Sequence, residues 1–132
     1  MICLWIINTA MDEYTTLTRH LEPQIAQLNR LAKAYLSSEV TLINQVSNYI
    51  VNSGGKRLRP LLTLYFNEIF CDDVTEIAEK TLKMAVAIEY IHTATLLHDD
   101  VVDNSQLRRN QATANSVFGN SASILAGDFL YS

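Results

Sequence analysis

The chain has 132 residues, enough for one domain with a buried core. It is 48% hydrophobic and has only 4 glycines and 2 prolines, a composition that favours a mostly helical protein. The formal net charge of −4 and the lack of a basic stripe argue against nucleic acid as a partner. Cys3 and Cys71 indicate neither a zinc site nor a disulfide framework, so we expect a reducing, cytoplasmic location.

The two ends of the chain lead to separate expectations. The apolar run over 2–7 is shorter than a membrane span and follows no basic residue, so we expect neither stable membrane insertion nor a signal peptide. We expect residues 1–11 to be an extension, with Met11 as a candidate start, and residues 12–132 to belong to one domain. The chain stops at Ser132 inside an uncapped apolar helical pattern, which predicts the N-terminal portion of a longer protein.

Apolar residues recur at helical spacing along the chain, and no segment alternates with period two. They predict a first helix over 11–34 and a second over 38–52, with Ser37 or Ser38 as the N-cap of the second. The fold class predicted from this pattern is all-α.

Glycine and proline mark the next boundaries. Gly54 and Gly55 are expected to end the second helix. Pro60 suits the first turn of a third helix over 60–70, and it biases Arg59 towards an extended conformation. A long fourth helix is predicted to begin near Val74 and to run into the acidic residues described next. A polar loop over 104–113 then precedes a last helix that starts between 114 and 120.

Three carboxylates stand close together where the fourth helix ends. Positions four apart share a helix face, so Asp99 and Asp103 project together and Asp100 lies to one side. A solvated acidic helix end is the plain alternative, but acids at a helix C-terminus are disfavoured by the helix dipole. An EF-hand is excluded because Val101 stands where an oxygen ligand is needed. The cluster predicts a magnesium site that also holds a diphosphate.

Two basic segments supply the charge that a diphosphate needs. Gly54-Gly55-Lys56-Arg57-Leu58-Arg59-Pro60 precedes a helix start, where backbone amides favour anions, although it is not a P-loop. Arg108 and Arg109 form the second segment. The alternatives are a solvated basic turn for the first segment and surface charge pairing for the second.

Three further residues are candidates for the site. His92 lies two helical turns before Asp99 and shares its face, so it is either a ligand contact or a structural hydrogen-bonding residue. His98 is expected to be a packing residue. Asp128 is a helix-surface acid or a supporting group, and the sequence does not decide between them.

Together these residues resemble the trans-isoprenyl diphosphate synthase (polyprenyl synthetase) family. The resemblance is carried by GGKRLRP at 54–60, DDxxD at 99–103, the Arg108-Arg109 pair, and FGN…LAGDFLY over 118–131. The sequence between the motifs is most similar to the bacterial long-chain branch of the family, which makes octaprenyl diphosphate for the ubiquinone side chain. The resemblance implies the N-terminal part of an isoprenoid synthase-type helical bundle, which assembles as a homodimer when full-length.

The resemblance also implies an activity and a set of roles. The activity is the magnesium-dependent head-to-tail condensation of isopentenyl diphosphate onto an allylic prenyl diphosphate. Asp99 and Asp103 would ligate Mg²⁺, with Asp100 a less direct candidate. Arg108 would contact the allylic diphosphate. The diphosphate of isopentenyl diphosphate would be held by Lys56, Arg59, His92 and Arg109.

The last expectations concern the length of the product and whether the chain holds the whole active site. Ala94 and Thr95 are small where short-chain relatives often carry an aromatic residue, so a tunnel for a long chain is expected beside them. Asn110 and Ala112 depart from the glycine and proline common in the family. The family's second aspartate-rich motif is absent from these residues, so the chain alone is not expected to turn over.

Two other classes of protein remain open. The first is a non-catalytic helical subunit that pairs with a catalytic partner, for which the intact DDxxD motif would be unnecessary. The second is a generic helical metal-binding or interaction domain, which leaves the basic stretch at 56–59 unexplained.

Overall fold

One long helix organises the structure, a computed structural model that describes residues 15–16, 19–53, 55–70 and 79–132. The helices in chain order are α1 (Glu22–Tyr35), α2 (Thr41–Asn52), α3 (Leu58–Phe70), α4 (Glu79–Val102), α5 (Ala114–Phe118) and α6 (Asn120–Tyr131). Two short strands, β1 (Leu107–Arg108) and β2 (Gln111–Ala112), lie between α4 and α5. The predicted all-α class is confirmed.

The two halves of α4 are buried in separate clusters. Its first half packs with α1 and α3 through Leu21, Leu28, Leu61, Leu64, Leu82, Ala85 and Val86. Its second half packs with α2, α5 and α6 through Leu36, Ile43, Val46, Ala94, Leu97, Ala114, Ala122, Ala126 and Leu130. Both clusters contact Tyr90. Helix α4 is therefore fixed along its length and can carry side chains of defined position.

Helices α1 and α2 begin later than the predicted helices over 11–34 and 38–52. Residues 19–20 are helical but Leu21 is a turn, and α1 begins at Glu22 with Pro23 in its first turn. Proline has no N–H to donate, so it is tolerated where a helix begins. The predicted helix over 11–34 is thus wrong in treating this stretch as unbroken.

Ser38 lies outside α2. Its N–H donates to the Asn44 Oδ1 at 2.9 Å, and its carbonyl accepts from the Asn44 Nδ2 at 2.7 Å. The N-cap position is Val40, whose side chain cannot cap the helix. The predicted serine cap is wrong because the Asn44 carboxamide binds the serine backbone and holds it ahead of the helix.

Helix α3 begins at Leu58, and Arg59 is helical rather than extended. The Leu61 N–H donates to the Arg57 carbonyl, which closes the first turn. The missing N–H of Pro60 falls within this first turn, where it costs no intrahelical bond. Tertiary packing of the buried Pro60 and Leu61 overrides the bias on Arg59.

The predicted polar loop over 104–113 contains the two strands as an antiparallel hairpin. Leu107 pairs with Ala112 and Arg108 pairs with Gln111. The two turn residues, Arg109 and Asn110, both have positive φ, at 53° and 63°. This is the pattern of a type I′ turn, which matches the twist of a hairpin.

Gly119 divides the predicted last helix into α5 and α6. Its φ of 85° lies in a region that glycine adopts readily and other residues avoid. None of the helices in the described ranges is long and apolar enough to cross a membrane. Cys3, Cys71, the predicted extension 1–11 and the predicted start of the fourth helix near Val74 lie outside the described residues.

Candidate active site

The two basic segments of the sequence meet at one cavity of about 290 Å³. One wall is the basic turn, defined as residues 55–59, and another is the hairpin, defined as residues 107–112. The end of α2 and one face of α4 complete it. Besides Tyr49, the ionisable lining consists of five cationic side chains, two carboxylates and one imidazole: Lys56, Arg57, Arg59, Arg108, Arg109, Glu89, Asp100 and His92. The cavity is therefore positive although the chain is acidic overall.

Glu89 binds Arg57 from the middle of α4. The Arg57 Nη1 donates to the Glu89 Oε1 at 2.7 Å, and the Arg57 Nη2 donates to the Val51 carbonyl at 3.2 Å. The two side chains are 21% and 14% exposed. Partial burial strengthens such a charge-assisted pair relative to a surface pair. This arginine ties the basic turn to α2 and to α4.

Asp100 binds Arg108 in a two-pronged arrangement. The Arg108 Nε donates to both carboxylate oxygens at 3.1 and 3.0 Å, and Nη2 donates to Oδ1 at 2.8 Å. The Asp100 side chain is 7% exposed and that of Arg108 is 40% exposed. The hydrogen bonds that Arg108 donates to Asp100 are the main cause that raises the pKa of Arg108 above its ordinary value. The Asp100 carboxylate is thus occupied by Arg108, which gives it a structural role distinct from the metal-ligand role considered for it.

Asp99 and Asp103 are exposed at the end of α4, in contrast to Asp100. The Asp103 N–H donates to the Asp99 carbonyl at 2.8 Å, so the two residues are one helical turn apart. They do not line the cavity, but their charges contribute to the raised pKa of Arg108. No group of three or more His, Cys, Asp or Glu side chains in the described residues forms a metal site. Two exposed carboxylates fit magnesium, which keeps waters and takes phosphate oxygens as its other ligands.

His92 lies on the α4 face of the cavity. Burial is the main cause that lowers its pKa, and Arg59, Arg109 and Arg108 lower it further, while Glu89 acts in the opposite direction. At neutral pH the imidazole is therefore uncharged and able to donate one hydrogen bond. The three cations that act on it come from both basic segments, which confirms that the fold brings these segments to one place.

Gly55 of the basic turn lies close to the Arg109 side chain of the hairpin. A Cβ placed on Gly55 would lie 3.1 Å from the Arg109 Nη1, tighter than ordinary contact. Arg109 has a φ of 53°, which costs a non-glycine residue about 1 kcal/mol or more. Glycine at 55 therefore leaves room for an arginine that is held in an unfavourable conformation. Asn110 tolerates its positive φ because asparagine adopts this region more readily than most residues.

Besides Asp99 and Asp103, four of the sequence-predicted residues do not line the cavity. Ala94 is fully buried in the second core cluster, and the Thr95 hydroxyl donates to the His92 carbonyl. His98 packs on Gly127 of α6, and its Nε2 is 3.5 Å from an oxygen of Asp128. The packing role predicted for His98 is confirmed. Asp128 belongs to this contact between α4 and α6.

Sequence reasoning did not single out Glu89, Tyr49 or a structural role for Arg57. The Tyr49 hydroxyl donates to the Ala112 carbonyl at 2.7 Å and so fastens the hairpin to α2. A signal existed for Glu89, which lies three residues before His92 and shares its face of α4. Its partner was not identifiable, since 32 residues separate Arg57 from Glu89 in the chain.

Known proteins resemble this chain in sequence and in structure. The chain is 49% identical over 107 residues to octaprenyl diphosphate synthase of Escherichia coli K12. The aligned region covers 81% of this chain and 32% of that relative. A decaprenyl diphosphate synthase structure from Rhodobacter capsulatus matches at a TM-score of 0.81 and 40% identity, covering 89% of this chain and 35% of the other. A polyprenyl synthase structure from Caulobacter crescentus, complexed with calcium and isoprenyl diphosphate, matches at a TM-score of 0.80 and 42% sequence identity. The match covers 89% of this chain and 35% of the other.

The chain therefore spans about a third of the length of the relatives it matches. The family model described as polyprenyl synthetase matches residues 40–132, which include the basic turn, α4 and the hairpin. The chain belongs to the polyprenyl synthetase family.

Proposed function

We propose that this chain is part of a magnesium-dependent prenyl diphosphate synthase that adds isopentenyl diphosphate to an allylic prenyl diphosphate. The observation that carries the proposal is the positive cavity beside the exposed Asp99 and Asp103. Five cationic side chains and two carboxylates line the cavity, so it carries a surplus of positive charge that suits anions. Two diphosphate substrates supply such anions.

Isopentenyl diphosphate would be held by Lys56, Arg59, His92 and Arg109, which all line the cavity. Guanidinium and ammonium groups pair with phosphate oxygens, and arginine does so with two parallel hydrogen bonds. The neutral His92 would donate one further hydrogen bond rather than act as a base. Holding this substrate still beside the allylic one supplies much of the rate enhancement, because the reaction becomes effectively unimolecular.

The allylic diphosphate would be held by Arg108 and, through the metal, by Asp99 and Asp103. Arg108 uses Nε and Nη2 on Asp100, and its side chain is still 40% exposed. Its guanidinium is therefore oriented by Asp100 while another edge faces outwards. When bound, magnesium would supply positive charge that neutralises the leaving diphosphate.

The reaction is then an ionisation followed by an addition. The allylic C–O bond breaks and the diphosphate leaves with the electron pair. The double bond of isopentenyl diphosphate attacks the allylic cation, and transfer of a proton to the released diphosphate restores a double bond. Arg108 stabilises the departing charge, and the residues around His92 hold the nucleophile in reach.

We further propose that residues 12–132 are the N-terminal portion of a longer domain that acts as a cytoplasmic homodimer. The chain spans 32% of the Escherichia coli relative and carries one DDxxD motif, so other ligands would come from the remaining sequence. The chain alone would then be inactive.

The product would be a long, octaprenyl-like chain. Two of the relatives named above are an octaprenyl and a decaprenyl diphosphate synthase, and the small residues Ala94 and Thr95 lie on α4 between His92 and Asp99. Because Ala94 is fully buried, a larger residue there would also strain the core. Thr95→Phe, at a half-buried position, is the better test, and a shorter product in chromatography would support a tunnel beside α4.

The decisive experiment measures incorporation of labelled isopentenyl diphosphate by the full-length protein. We expect incorporation to require magnesium and to fall by about 10²–10³-fold in Asp99→Asn and in Asp103→Asn, because a metal ligand is lost. Asp128→Asn is the matched control, since it changes an exposed aspartate away from the cavity. Undiminished incorporation in both ligand variants would contradict the proposal. Activity that appears only after a second protein is added would favour the non-catalytic subunit.

A further inference from the structure

The basic turn carries its cations in two settings, since Arg59 lies in the first turn of α3 whereas Lys56 and Arg57 precede that helix. Helix α2 ends at Asn52 and α3 begins at Leu58, so residues 55–57 lie outside both helices. Arg57 has a φ of 48°, a conformation that a side-chain-bearing residue adopts at a cost of about 1 kcal/mol or more. Something outside the turn must hold this conformation.

The ion pair between Arg57 and Glu89 is one contact that does so. The guanidinium bridges two elements, with one nitrogen on the Glu89 carboxylate and another on the Val51 carbonyl. Both side chains are largely buried, at 21% and 14% exposed, so the pair is screened less than a surface pair. It fixes the turn relative to both α2 and α4.

The position of Glu89 on α4 relates the ion pair to His92 and to the cavity. Glu89 and His92 are three residues apart on one face of α4, and both line the cavity. Lys56 and Arg59 flank Arg57 in the turn and also line the cavity. Anchoring Arg57 to Glu89 therefore sets the position of Lys56 and Arg59 relative to His92.

We propose that Arg57 and Glu89 are positioning residues for isopentenyl diphosphate, acting through Lys56 and Arg59. The inference rests on the proposed function, because it assigns the geometry of the same cavity. It predicts that losing the pair weakens the binding of one substrate and leaves the other substrate and the chemical step nearly unchanged.

The test compares Glu89→Gln with Glu68→Gln in the full-length protein. Glu68 is a matched control because its side chain is 18% exposed and it pairs with His20, remote from the cavity. We expect Glu89→Gln to raise the KM for isopentenyl diphosphate about tenfold, the equivalent of about 1.4 kcal/mol. The kcat and the KM for the allylic substrate should stay within about threefold of wild type. Glu68→Gln should change none of them.

A double-mutant cycle shows whether Arg57 and Glu89 act together. If Arg57 acts through its contacts to Glu89 and Val51, Arg57→Gln should be at least as damaging as Glu89→Gln, and the double variant should resemble Arg57→Gln, so the effects are not additive. Fully additive effects would show that the two residues act independently, and this would overturn the proposal. Arg57→Lys, which keeps the charge and loses the second contact, should fall between wild type and Arg57→Gln. It also serves where the glutamine variants do not fold.

Calorimetric titration with inorganic diphosphate distinguishes the failure of the inference from the failure of the proposed function. Binding by wild type that Glu89→Gln retains at full strength would overturn the positioning role and leave the anion site standing. If wild type neither binds diphosphate nor incorporates isopentenyl diphosphate, the proposed function fails and the inference fails with it.

Discussion

The basic turn and the hairpin both reach the cavity, but different contacts hold them in place. Each brings cations to the cavity, and each is fastened by an arginine to a carboxylate on α4, through Arg57 with Glu89 and Arg108 with Asp100. The two carboxylates lie about three helical turns apart on one face. Helix α4 thus sets the distance between the two segments.

The difference lies in how much each segment supports itself. The hairpin has its own strand pairs, and the Thr113 N–H donates to the Gln106 carbonyl beside them. Tyr49 adds a bond from α2. In the basic turn, the Arg57 side chain contacts both α2 and α4. The hairpin is therefore locally determined, and the turn depends on tertiary contacts.

The largest effect on stability is expected for Asp100→Ala. It removes a buried carboxylate, leaves the Arg108 guanidinium without its partner and should lower the free energy of unfolding by about 2–4 kcal/mol. Asp99→Ala is the matched control at the neighbouring exposed position, and we expect a change within about 0.5 kcal/mol. Urea unfolding of the full-length protein, followed by circular dichroism, measures both. Equal midpoints in the two variants would contradict the structural role of Asp100.

This contrast between Asp99 and Asp100 was partly visible in the sequence. Helical geometry alone places Asp99 and Asp103 on one face and Asp100 to one side, and the exposure of the three residues agrees. The partner of Asp100 was not predicted, because Arg108 reaches it only through the hairpin, which the sequence analysis treated as a loop. Two strands of two residues each carry too little alternation to be recognised.

The helices follow the sequence where apolar spacing decides them, and they depart from it where the Asn44 side chain or Pro23 sets a boundary. Asn44 held Ser38 out of α2, and Pro23 was overlooked as a helix start. The ion pair of Arg57 with Glu89 joins residues far apart in the chain, so no local pattern reports it. The roles proposed for Lys56, Arg59 and Arg109 remain predictions.

The next largest effect tests how firmly α4 is held. A Cβ on Gly127 would lie 2.3 Å from the His98 Nε2, so Gly127→Ala must displace the imidazole. We expect a loss of about 1–3 kcal/mol in the free energy of unfolding, because overpacking forces side chains from their positions. His98→Ala in the same background should recover most of the loss, which is the signature of a direct contact. An unchanged loss in the double variant would show that the strain lies in the backbone instead.

A smaller effect tests the local character of the hairpin. Asn110→Gly should stabilise the full-length protein by a few tenths of a kcal/mol, up to about 1 kcal/mol, because glycine adopts the φ of 63° at this turn position more readily. Asn110→Ala should destabilise it by about 1 kcal/mol, since alanine avoids this region. Thermal unfolding gives the order of the three proteins. Any other order would mean that contacts beyond the turn, rather than its backbone, determine the hairpin.

The smallest effect uses His92 to compare the two segments directly. Burial lowers the pKa of His92, and Arg59 of the basic turn lowers it more than Arg109 of the hairpin. Arg59→Gln should therefore raise the pKa of His92 more than Arg109→Gln does, and Arg30→Gln on the exposed surface of α1 should leave it unchanged. The pKa is measured by NMR titration of the labelled imidazole in the full-length protein.

The same pKa fixes the sign of a pH effect on stability. The pKa of His92 in the folded protein is below its ordinary value of 6.5, so the unfolded chain takes up the proton first as the pH falls. The stability linked to His92 is thus complete above about pH 6.5 and is lost as the pH falls towards the folded pKa. Arg59→Gln should reduce this loss more than Arg109→Gln. Equal shifts in both variants would show that the two segments act on His92 alike, whereas no shift in either would mean that they do not meet at this residue.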